Sequence, residues 1–479
     1  MSAPGIRAGQ DAEDLDVEEV LALVNHRSRP ARPAPPDHGP ASPGTPASPG
    51  TPASPGTPSP ATGAAPAPAP APRPPERHRP ATSWADARAI AGRAGRAPAA
   101  RRAPDSVALH DALGLVLAAP LTALTDLPSF DTSAMDGWAV AGPGPWTVRG
   151  DGVLAGHTEA ARLVDGEAVR IATGARIPPD TTAVLRSEHG RTDEQGRLHA
   201  GRDVQHGQDI RPRGQECRSG EQLLPDGTVV TPAVLGLAAA AGYDTVAVTP
   251  RPRVEVYVLG DELLTEGRPH DGLIRDALGP MLPPWLRSLG AEVVSLRRIG
   301  DDADTLHRAL TGSTADLIVT TGGTAAGPVD HVHPTLERMG ADLLVDGVDV
   351  RPGHPMLLAR LQPDRHLVGL PGNPLAAVSG LLTLAEPLLR ALGRRPAPEP
   401  YGLPLRESVH GHPRDARLVP VVLRGDHAVP LRYQGPAMLR GIATADALAV
   451  VPPGGTRAGQ ETELLDLPWT TAGMGSCFT

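Results

Sequence analysis

The sequence contains no lysine, so all 45 of its basic residues are arginine, and it contains only two cysteines and two asparagines. Two cysteines, Cys217 and Cys477, are too few for a disulfide framework or a zinc site of the CxxC type. No run approaches the ~18 apolar residues of a membrane span, and acids stand near the N-terminus where a signal peptide needs an apolar core. These absences predict a soluble, cytoplasmic protein that does not enter a membrane.

Charge is distributed unevenly along the chain, whose net charge is −9. Residues 1–25 hold six acids against one arginine, whereas residues 26–104 hold eleven arginines against three acids. A basic stretch ahead of an acidic body is not the pattern of a nucleic-acid-binding core. We therefore expect no nucleic-acid partner and interpret the basic stretch as a solvated segment, although contact with an anionic partner stays open.

Proline is concentrated near the N-terminus, where residues 30–80 contain 19 of the 56 prolines and a repeated SPGTPA hexad. Glycine at every sixth position excludes collagen, which needs glycine at every third. Because so few apolar side chains cannot offset the entropy of ordering, we predict a disordered tail over residues 1–81. A short amphipathic helix is predicted near its start, from four apolar residues at helical spacing: Val17, Val20, Leu21 and Val24.

The ordered part is predicted to begin near Thr82 and to contain four domains. A helix after Ser83 and a second helix over Val107–Ala118 indicate a split α/β linker domain, over residues 82–127 and 209–251. Short β-like runs between Gly and Pro turns predict a small β-rich domain over residues 128–208. A parallel-sheet α/β domain over residues 252–395 and a C-terminal β domain, a barrel or a sandwich, over residues 396–479 complete the prediction.

The α/β domain has the clearest pattern, because strands and helices alternate between residues 252 and 392. Near-continuous apolar strands that alternate with helices are typical of a parallel sheet covered by helices. The predicted strands are Val254–Leu259, Glu292–Leu296, Ala315–Thr321 and His366–Leu370. The predicted helices are Leu278–Leu289, Asp304–Leu310 and one that begins at His333.

A glycine-rich loop follows the strand that ends at Thr321, at the position where open α/β sheets bind their ligands. Its glycines Gly322, Gly323 and Gly327 would let backbone N–H groups approach a phosphate or another oxyanion. Asp330, which closes the loop, is placed to coordinate a metal or to accept hydrogen bonds. A plain turn without a ligand is an equally good interpretation of the loop alone.

Two proline–glycine turns accompany this loop. Pro371 and Gly372 follow a strand, and Asn373 suits a helix N-cap, so the turn would direct free N–H groups outward. A stiff strand-to-helix turn would explain that pattern without a ligand. Arg351 and Pro352 begin a second turn, RPGHP, which presents a cation that suits a tetrahedral oxyanion.

Three acidic residues are predicted to converge on the same sheet edge. Glu262 follows the first strand, Asp276 opens the next helix, and Asp330 closes the glycine loop. Hard oxygen ligands at this density suit Mg²⁺ bound together with a phosphorylated substrate. Solvated acids and an ordinary helix cap remain alternatives. His331 and His333 are interpreted as part of a helix start, because no third soft ligand for zinc is evident.

The β-rich domain contains the stretch Ser-Ala-Met-Asp-Gly around Asp136, which no periodicity explains. Thr173, in Ile-Ala-Thr-Gly-Ala, and Glu188 lie in the same domain. A compact polar run of this kind predicts a functional loop, with an ordinary surface turn as the alternative. No GxSxG elbow indicates a serine hydrolase.

Together these stretches resemble the molybdopterin molybdenumtransferase family, that is MoeA and the gephyrin E-domain. The shared motifs occur in the family order over about residues 82–470: SAMDGWAV, IATGARIP, DIRPRGQE, RPRVEVYVLGDEL, TTGGTAAGPVD, RPGHP and LPGNP. The resemblance implies a homodimer of four-domain subunits, with a site between the α/β domain of one subunit and the SAMDG part of the other. The implied reaction is Mg²⁺-dependent and converts adenylylated molybdopterin and molybdate into molybdenum cofactor and AMP, with molybdoenzymes as possible recipients.

The resemblance also assigns roles to single residues. It implies catalytic roles for Asp136, Glu262, Asp276 and Asp330, and metal binding by the last three. It implies substrate binding by a larger set: Thr173, Gly322, Gly323, Gly327, Arg351, Pro352, Pro371, Gly372 and Asn373. Arg351 stands where the family usually has a lysine beside molybdate.

The chain departs from the family pattern at several positions, each of which loses a hydrogen-bonding or charged group. Ala325 replaces a serine, Pro328 an acidic or polar residue, Leu278 an asparagine and His354 a lysine, and Gly347 stands near another lysine position. The lysine losses match the general absence of lysine. The other departures leave open a non-catalytic paralogue that binds molybdopterin or a partner as a scaffold. The adenylylating step is a third hypothesis, against which SAMDG and the additional domains argue.

Overall fold

The computed structural model describes residues 81–153, 156, 161–324 and 330–469. All of them belong to one compact unit, Arg77–Thr479. The predicted tail with its amphipathic helix, and the glycine-loop residues 325–329 with Gly327, lie outside the described residues.

Some of the helices begin at side-chain caps. Ser83 accepts a hydrogen bond from the Asp86 N–H at 3.2 Å, and Thr231 accepts one from the Val234 N–H. The helices are α1 (Trp84–Arg101), α2 (Pro232–Ala240), α3 (Leu278–Ser288), α4 (Ala303–Gly312), α5 (Val332–Arg338), α6 (Pro374–Gly380) and α7 (Glu386–Leu392); a π-helical turn, Leu381–Ala385, joins the last two, and 3₁₀ turns cover Leu109–Asp111, Ser187–His189 and Ile442–Thr444.

The strands are numbered in chain order. They are β1 (Thr82–Ser83), β2 (Asp105–Ala108), β3 (Val116–Leu117), β4 (Leu121–Thr122), β5 (Thr132–Ser133), β6 (Gly137–Val140), β7 (Trp146–Val153), β8 (Glu167–Ile171), β9 (Ala183–Arg186), β10 (Gly190–Thr192), β11 (Arg197–Ala200), β12 (Ile210–Arg211), β13 (Gln222–Leu224), β14 (Thr245–Thr249), β15 (Arg253–Leu259), β16 (Leu263–Leu264), β17 (Ile274–Arg275), β18 (Glu292–Ile299), β19 (Leu317–Thr321), β20 (Asp342–Asp346), β21 (Val348–Arg351), β22 (Leu357–Gln362), β23 (Arg365–Leu370), β24 (Tyr401–Pro404), β25 (Val409–His410), β26 (Ala416–Arg424), β27 (His427–Pro430), β28 (Ala447–Val451), β29 (Gly455–Thr456) and β30 (Glu461–Asp466).

The central sheet of the α/β region has the strand order β18-β15-β19-β23-β22-β20. Its first four strands are parallel, as predicted, but β22 is antiparallel to both of its neighbours, β23 and β20, so the prediction of a parallel sheet was wrong for this strand. The physical reason is the short connection between Gln362 and Arg365. A turn of that length joins antiparallel strands, whereas a parallel pair needs a long crossover.

The predicted helix over Val107–Ala118 was also wrong. Those residues form β2, a 3₁₀ turn and β3, and both strands pair antiparallel with β14. Gly114 has a φ of +74°, which no helix interior permits and which glycine adopts readily. Tertiary pairing with β14 thus overrides the helical spacing of the apolar residues.

The C-terminal sheet draws strands from outside the predicted C-terminal domain. Its order is β1-β21-β26-β28-β30-β24, with β27 paired to β26. Strand β21 lies within the residues predicted for the α/β domain, yet it runs parallel to β26 with Arg351 opposite Arg417. The RPGHP turn therefore begins at the C-terminal sheet rather than at the central one.

The β-rich region forms a separate six-stranded sheet with the order β10-β11-β7-β8-β6-β9. Its core is formed by alternate residues of the strands, among them Trp138, Val140 and Leu185. Asp136 immediately precedes β6, so the SAMDG stretch lies at one end of this sheet.

The run from Pro374 to Leu392 is, by length and composition, apolar enough to cross a membrane, contrary to the expectation that no such run exists. It is, however, 83% buried inside the protein. Leu375, Leu381 and Leu388 are completely buried in the main hydrophobic core. This run is therefore accounted for as a core helix, which passes the same test of length and composition.

Candidate active site

A small cleft of about 80 Å³ opens at the carboxyl edge of the central sheet, where β15, β18 and β19 end. Three of the predicted site residues line it: Glu262, Gly322 and Gly323. Asp301, which sequence reasoning missed, and His331, which it assigned to a helix start, line the same cleft. Asp301 was missed because β18 continues beyond its predicted end, so that the following turn reaches the cleft. The remaining lining residues are Leu259, Gly260, Gly300 and Leu306.

Glu262 owes its position to the glycine two residues before it. Gly260 has a φ of +126°, and a Cβ atom there would lie 2.4 Å from Glu262 Oε2. Only glycine therefore lets this carboxylate approach the strand end so closely. The Glu262 side chain is exposed, and no hydrogen bond or ion pair joins it to the described residues. Its carboxylate is accordingly available to a substrate or a cation.

Three of the predicted loops are neighbours at this edge. The Gly322 N–H donates to the Leu370 carbonyl at 2.9 Å, and a Cβ atom on Gly372 would lie 3.7 Å from the Gly322 Cα. A Cβ atom on Gly353, in the RPGHP turn, would lie 3.0 Å from the Ala376 carbonyl oxygen. The glycine loop thus packs against the LPGNP turn, and the RPGHP turn packs against helix α6, which follows the LPGNP turn.

The helix that follows the LPGNP turn does not present free N–H groups, contrary to the sequence-based expectation. The N–H groups of Leu375 and Ala376 donate to the Pro436 carbonyl at 2.8 and 3.3 Å. The reason is that a loop of the C-terminal region lies over this helix start. Asn373 is the N-cap residue, and its exposed side chain makes no cap hydrogen bond, so its amide is available to a ligand.

Asp276 is buried and already has protein partners. Its Oδ1 accepts hydrogen bonds from the N–H groups of Leu278 and Gly279 at 3.0 and 2.9 Å, and its Oδ2 pairs with Arg298. A Cβ atom on Gly279 would lie 2.1 Å from Oδ2, so this cap also requires glycine. The carboxylate therefore acts in the folded chain as a helix cap and as an ion-pair partner.

Asp330 is engaged in a second local network. Its Oδ1 accepts from the N–H groups of Val332 and His333 at 3.1 and 3.2 Å, and its Oδ2 lies 2.7 Å from His333 Nδ1. His333 Nε2 lies 2.9 Å from Asp346 Oδ1. The hydrogen bond with Asp330, together with that of Asp346, raises the pKa of His333 to about 9. A protonated His333 thus bridges two carboxylates at neutral pH.

These contacts bear on the predicted magnesium ligands Glu262, Asp276 and Asp330. Within residues 81–153, 161–324 and 330–469, no group of three or more His, Cys, Asp or Glu is arranged to hold a metal. Of the three carboxylates, that of Glu262 alone has no protein partner among these residues. Of the three predicted ligands, Glu262 alone could therefore bind a metal ion as it stands. Asp276 would first have to release Arg298, and Asp330 would have to release His333.

Asp136 and Thr173, both exposed, are in direct contact. Asp136 Oδ1 accepts hydrogen bonds from the Thr173 N–H at 2.7 Å and from its hydroxyl at 3.1 Å. These bonds, the backbone one foremost, hold the pKa of Asp136 below its usual value. Gly174, with a φ of +79°, makes the turn that brings Thr173 against the carboxylate. Oδ2 is left open to solvent, so one face of an ionised carboxylate is available to a substrate.

Arg351 is also held at one side and open at the other. Its Nε donates to Asp415 Oδ2 at 2.6 Å, and its side chain is 49% exposed. His354, three residues on, donates from Nδ1 to the Val348 carbonyl at 2.8 Å, which shapes the turn. A guanidinium with a fixed inner edge and an exposed outer edge can bind an oxyanion.

Comparison with known proteins assigns this arrangement to a family. Residues 82–242 match the MoeA N-terminal region (domain I and II), residues 255–391 a probable molybdopterin binding domain, and residues 403–467 the MoeA C-terminal region (domain IV). The molybdopterin molybdenumtransferase 2 of Mycobacterium tuberculosis is 35% identical over 374 residues, which is 72% of this chain and 90% of that protein. The chain belongs to the MoeA family.

Other members agree with this assignment. The molybdopterin molybdenumtransferase of Bacillus subtilis is 30% identical over 413 residues, covering 77% of this chain and 93% of the relative. The solved structure of the molybdopterin biosynthesis MoeA protein from Pyrococcus horikosii has a TM-score of 0.67 at 26% identity, over 81% of this chain and 99% of that one. The predicted family, its multidomain fold and the enzyme class are thereby confirmed.

Proposed function

We propose that this MoeA-family protein inserts molybdenum into adenylylated molybdopterin, giving molybdenum cofactor and AMP in a Mg²⁺-dependent reaction. One observation carries the proposal. The glycine loop packs against the LPGNP turn at a sheet edge, and the RPGHP turn packs against the helix that follows the LPGNP turn, in a chain whose relatives are named molybdopterin molybdenumtransferases. A cytoplasmic location and transfer to molybdoenzymes belong to the same proposal.

The side chains at this edge support the proposed roles. The Asn373 amide and the Glu262 carboxylate have no protein partners and are exposed, so they are available to the phosphate and pterin groups of the substrate. Arg351 presents an exposed guanidinium that suits molybdate, a tetrahedral dianion. Bound magnesium would add charge neutralisation at the phosphates, with Glu262 as the donor that the described residues offer.

Asp136 supports a site that two subunits share. Its free carboxylate oxygen can hold a proton or orient a water molecule. However, neither Asp136 nor Thr173 is among the described residues that line the cleft at the sheet edge. We therefore propose that Asp136 and Thr173 act at the sheet edge of the second subunit in a homodimer.

A second candidate function is a non-catalytic paralogue that binds molybdopterin as a scaffold. Asp276 and Asp330 favour it, because both carboxylates are engaged with Arg298 and His333 rather than open. Leu278, which stands where the family has an asparagine, also favours the non-catalytic paralogue. We rank it second because Asp136, Thr173, Glu262 and Asn373 remain accessible.

A single-turnover assay separates the two functions. The protein receives adenylylated molybdopterin, Mg²⁺ and molybdate, and AMP release and protein-bound molybdenum are followed together. AMP release that depends on molybdate is expected of the transferase. Tight binding of adenylylated molybdopterin without AMP release would instead identify the paralogue.

Mixing two impaired variants tests the shared site. Asp136→Asn and Glu262→Gln are each expected to have only a small residual activity as homodimers, whereas a heterodimer has one intact site that combines Asp136 of one chain with Glu262 of the other. Random re-association should restore about a quarter of the wild-type activity. No recovery in dimers that have exchanged subunits would show that each chain carries its own site. Glu266→Gln, at an exposed acid nearby, is the matched control.

A further inference from the structure

We propose that Asp415, in the C-terminal region, is a positioning residue that orients the Arg351 guanidinium for binding of the molybdate oxyanion. This inference rests on the proposed function and deepens it. Neither sequence motifs nor the family comparisons single out Asp415, which contacts Arg351 across 64 positions of the chain.

The contact is built by the pairing of two strands. Strand β21 runs parallel to β26, with Val350 opposite Ala416 and Arg351 opposite Arg417. Asp415 immediately precedes β26, so its carboxylate meets Arg351 from the side, and Oδ2 accepts the Nε–H at 2.6 Å. The Asp415 side chain is only 6% exposed, whereas that of Arg351 is 49% exposed. A buried acceptor therefore holds the inner edge of a guanidinium that opens to solvent.

His412 packs against the same turn. Its Nδ1 lies 3.1 Å from the Asp415 backbone nitrogen and 3.3 Å from Asp415 Oδ2. The contact of Asp415 Oδ2 with the Arg351 Nε–H is shorter, at 2.6 Å. The carboxylate is therefore held closest to Arg351.

The neighbouring arginine, Arg417, forms its hydrogen bonds with residues other than Asp415. Arg417 donates from one nitrogen to the His410 carbonyl and from the other to Gln434 Oε1, at 3.2 Å for the latter. Among the described residues, Arg351 is thus the arginine that pairs with Asp415. Its two terminal nitrogens make no hydrogen bond to the described residues, and they form a fork that matches two oxygens of a tetrahedral oxyanion.

Asp415 and Arg351 therefore have different roles, since Asp415 fixes the guanidinium and Arg351 binds the anion. Without the Nε anchor, the Arg351 side chain would have to lose its own rotational freedom each time it bound an anion. With the anchor, that entropy is lost on folding. Removal of Asp415 should therefore weaken the binding of molybdate and leave the binding of the pterin nucleotide unchanged.

Steady-state kinetics of Asp415→Asn, Arg351→Ala and the double variant test the inference. Asp415→Asn should raise the KM for molybdate about tenfold, because an amide oxygen without the carboxylate charge holds the guanidinium more weakly, with an unchanged KM for adenylylated molybdopterin. The double variant should be no worse than Arg351→Ala alone. An unchanged KM for molybdate in Asp415→Asn, or additive effects in the double variant, would overturn the inference.

Two further variants keep the test interpretable. Asp342→Asn breaks the Asp342–Arg360 pair of the central sheet, which is 2.7 Å long, and should leave both KM values unchanged. Arg351→Lys keeps the charge but has no Nε–H, so it should show the same rise in the KM for molybdate if Asp415→Asn fails to fold. An Arg351→Lys variant with wild-type KM contradicts the anchoring role.

Equilibrium dialysis with molybdate alone separates this inference from the proposed function. If the wild-type protein releases no AMP but binds molybdate, and Asp415→Asn binds it about tenfold more weakly, the transferase proposal fails and the role of Asp415 stands. Equal binding by both proteins overturns the role of Asp415. Absence of molybdate binding by the wild-type protein overturns both.

Discussion

Asp136 in the β-rich region and Asp276 beside the central sheet were predicted for the same site, and their surroundings differ sharply. Asp136 is exposed and is held through one oxygen by Thr173. Asp276 is 5% exposed, and both of its oxygens are engaged, by a helix start and by Arg298. Both carboxylates belong to recognisable motifs, but only the first is open to a substrate.

The difference shows that a motif identifies a residue without determining its chemical state. A carboxylate that caps a helix and pairs with an arginine contributes to stability, whereas one that is oriented by a single neighbour and left half open contributes to binding or proton transfer. Substitutions at the two positions should therefore affect different observables.

The largest expected effect is on stability, at Asp276. Asp276→Ala should lower the free energy of unfolding by about 3 kcal/mol, because it leaves Arg298 and two helix N–H groups without their partner. Asp302→Ala is the matched control, since Asp302 caps α4 from an exposed position and should cost about 1 kcal/mol. Urea unfolding measures both, and equal losses would show that burial of Asp276 adds nothing.

Asp136 should show the opposite behaviour. Asp136→Asn should reduce turnover about a hundredfold and leave the urea midpoint unchanged, because the side chain is exposed and an amide oxygen can still accept from Thr173. Thr173→Val, which removes the hydroxyl donor, should cost less. Single-turnover AMP release measures whether Asp136→Asn loses more activity than Thr173→Val. If Asp136→Asn lost stability but not activity, the role of Asp136 would be structural.

A buried group without partners sharpens the comparison with Asp276. His366 is 1% exposed, its Nδ1 has no hydrogen-bond partner in the described structure, and burial lowers its pKa to about 4. The unfolded chain therefore binds the proton more tightly between about pH 6.5 and 4, so stability falls as the pH falls through this window. The loss should reach about 2 kcal/mol at pH 5.

His366→Gln cannot take up this proton. Its urea midpoint should therefore decline less than that of the wild-type protein between pH 7.5 and pH 5. If the urea midpoints of the two proteins declined equally, groups other than His366 would be the cause of the acid sensitivity.

The smallest effect is expected at an exposed ion pair. Asp304 and Arg338 are in contact at 2.6 Å, but their side chains are 67% and 51% exposed. Asp304→Asn should change the free energy of unfolding by less than about 1 kcal/mol, because water screens the pair. A loss as large as that of Asp276→Ala would show that exposure does not explain the contrast between the two acids.

Much of the fold could be predicted because its signals are local. Helix α3 begins at the predicted Leu278, strand β18 begins at the predicted Glu292, and the alternation of the α/β region is present. The two failures have different causes. Residues 107–118 pair with the distant strand β14, which overrode the local helical spacing. Strand β22 forms a hairpin with β23 through a short turn, and the pattern of apolar residues does not indicate strand direction.

By itself, the sequence determined the family motifs, the alternation of strands and helices in the central region, and the identity of the acids and the arginine at the candidate site. Tertiary structure alone decided which of these groups are open and which are engaged. Arg298 reaches Asp276, Pro436 covers the start of α6, and Asp415 holds Arg351. Periodicity reports which face of an element is buried, but the partner of a polar atom depends on which distant segments the fold places side by side.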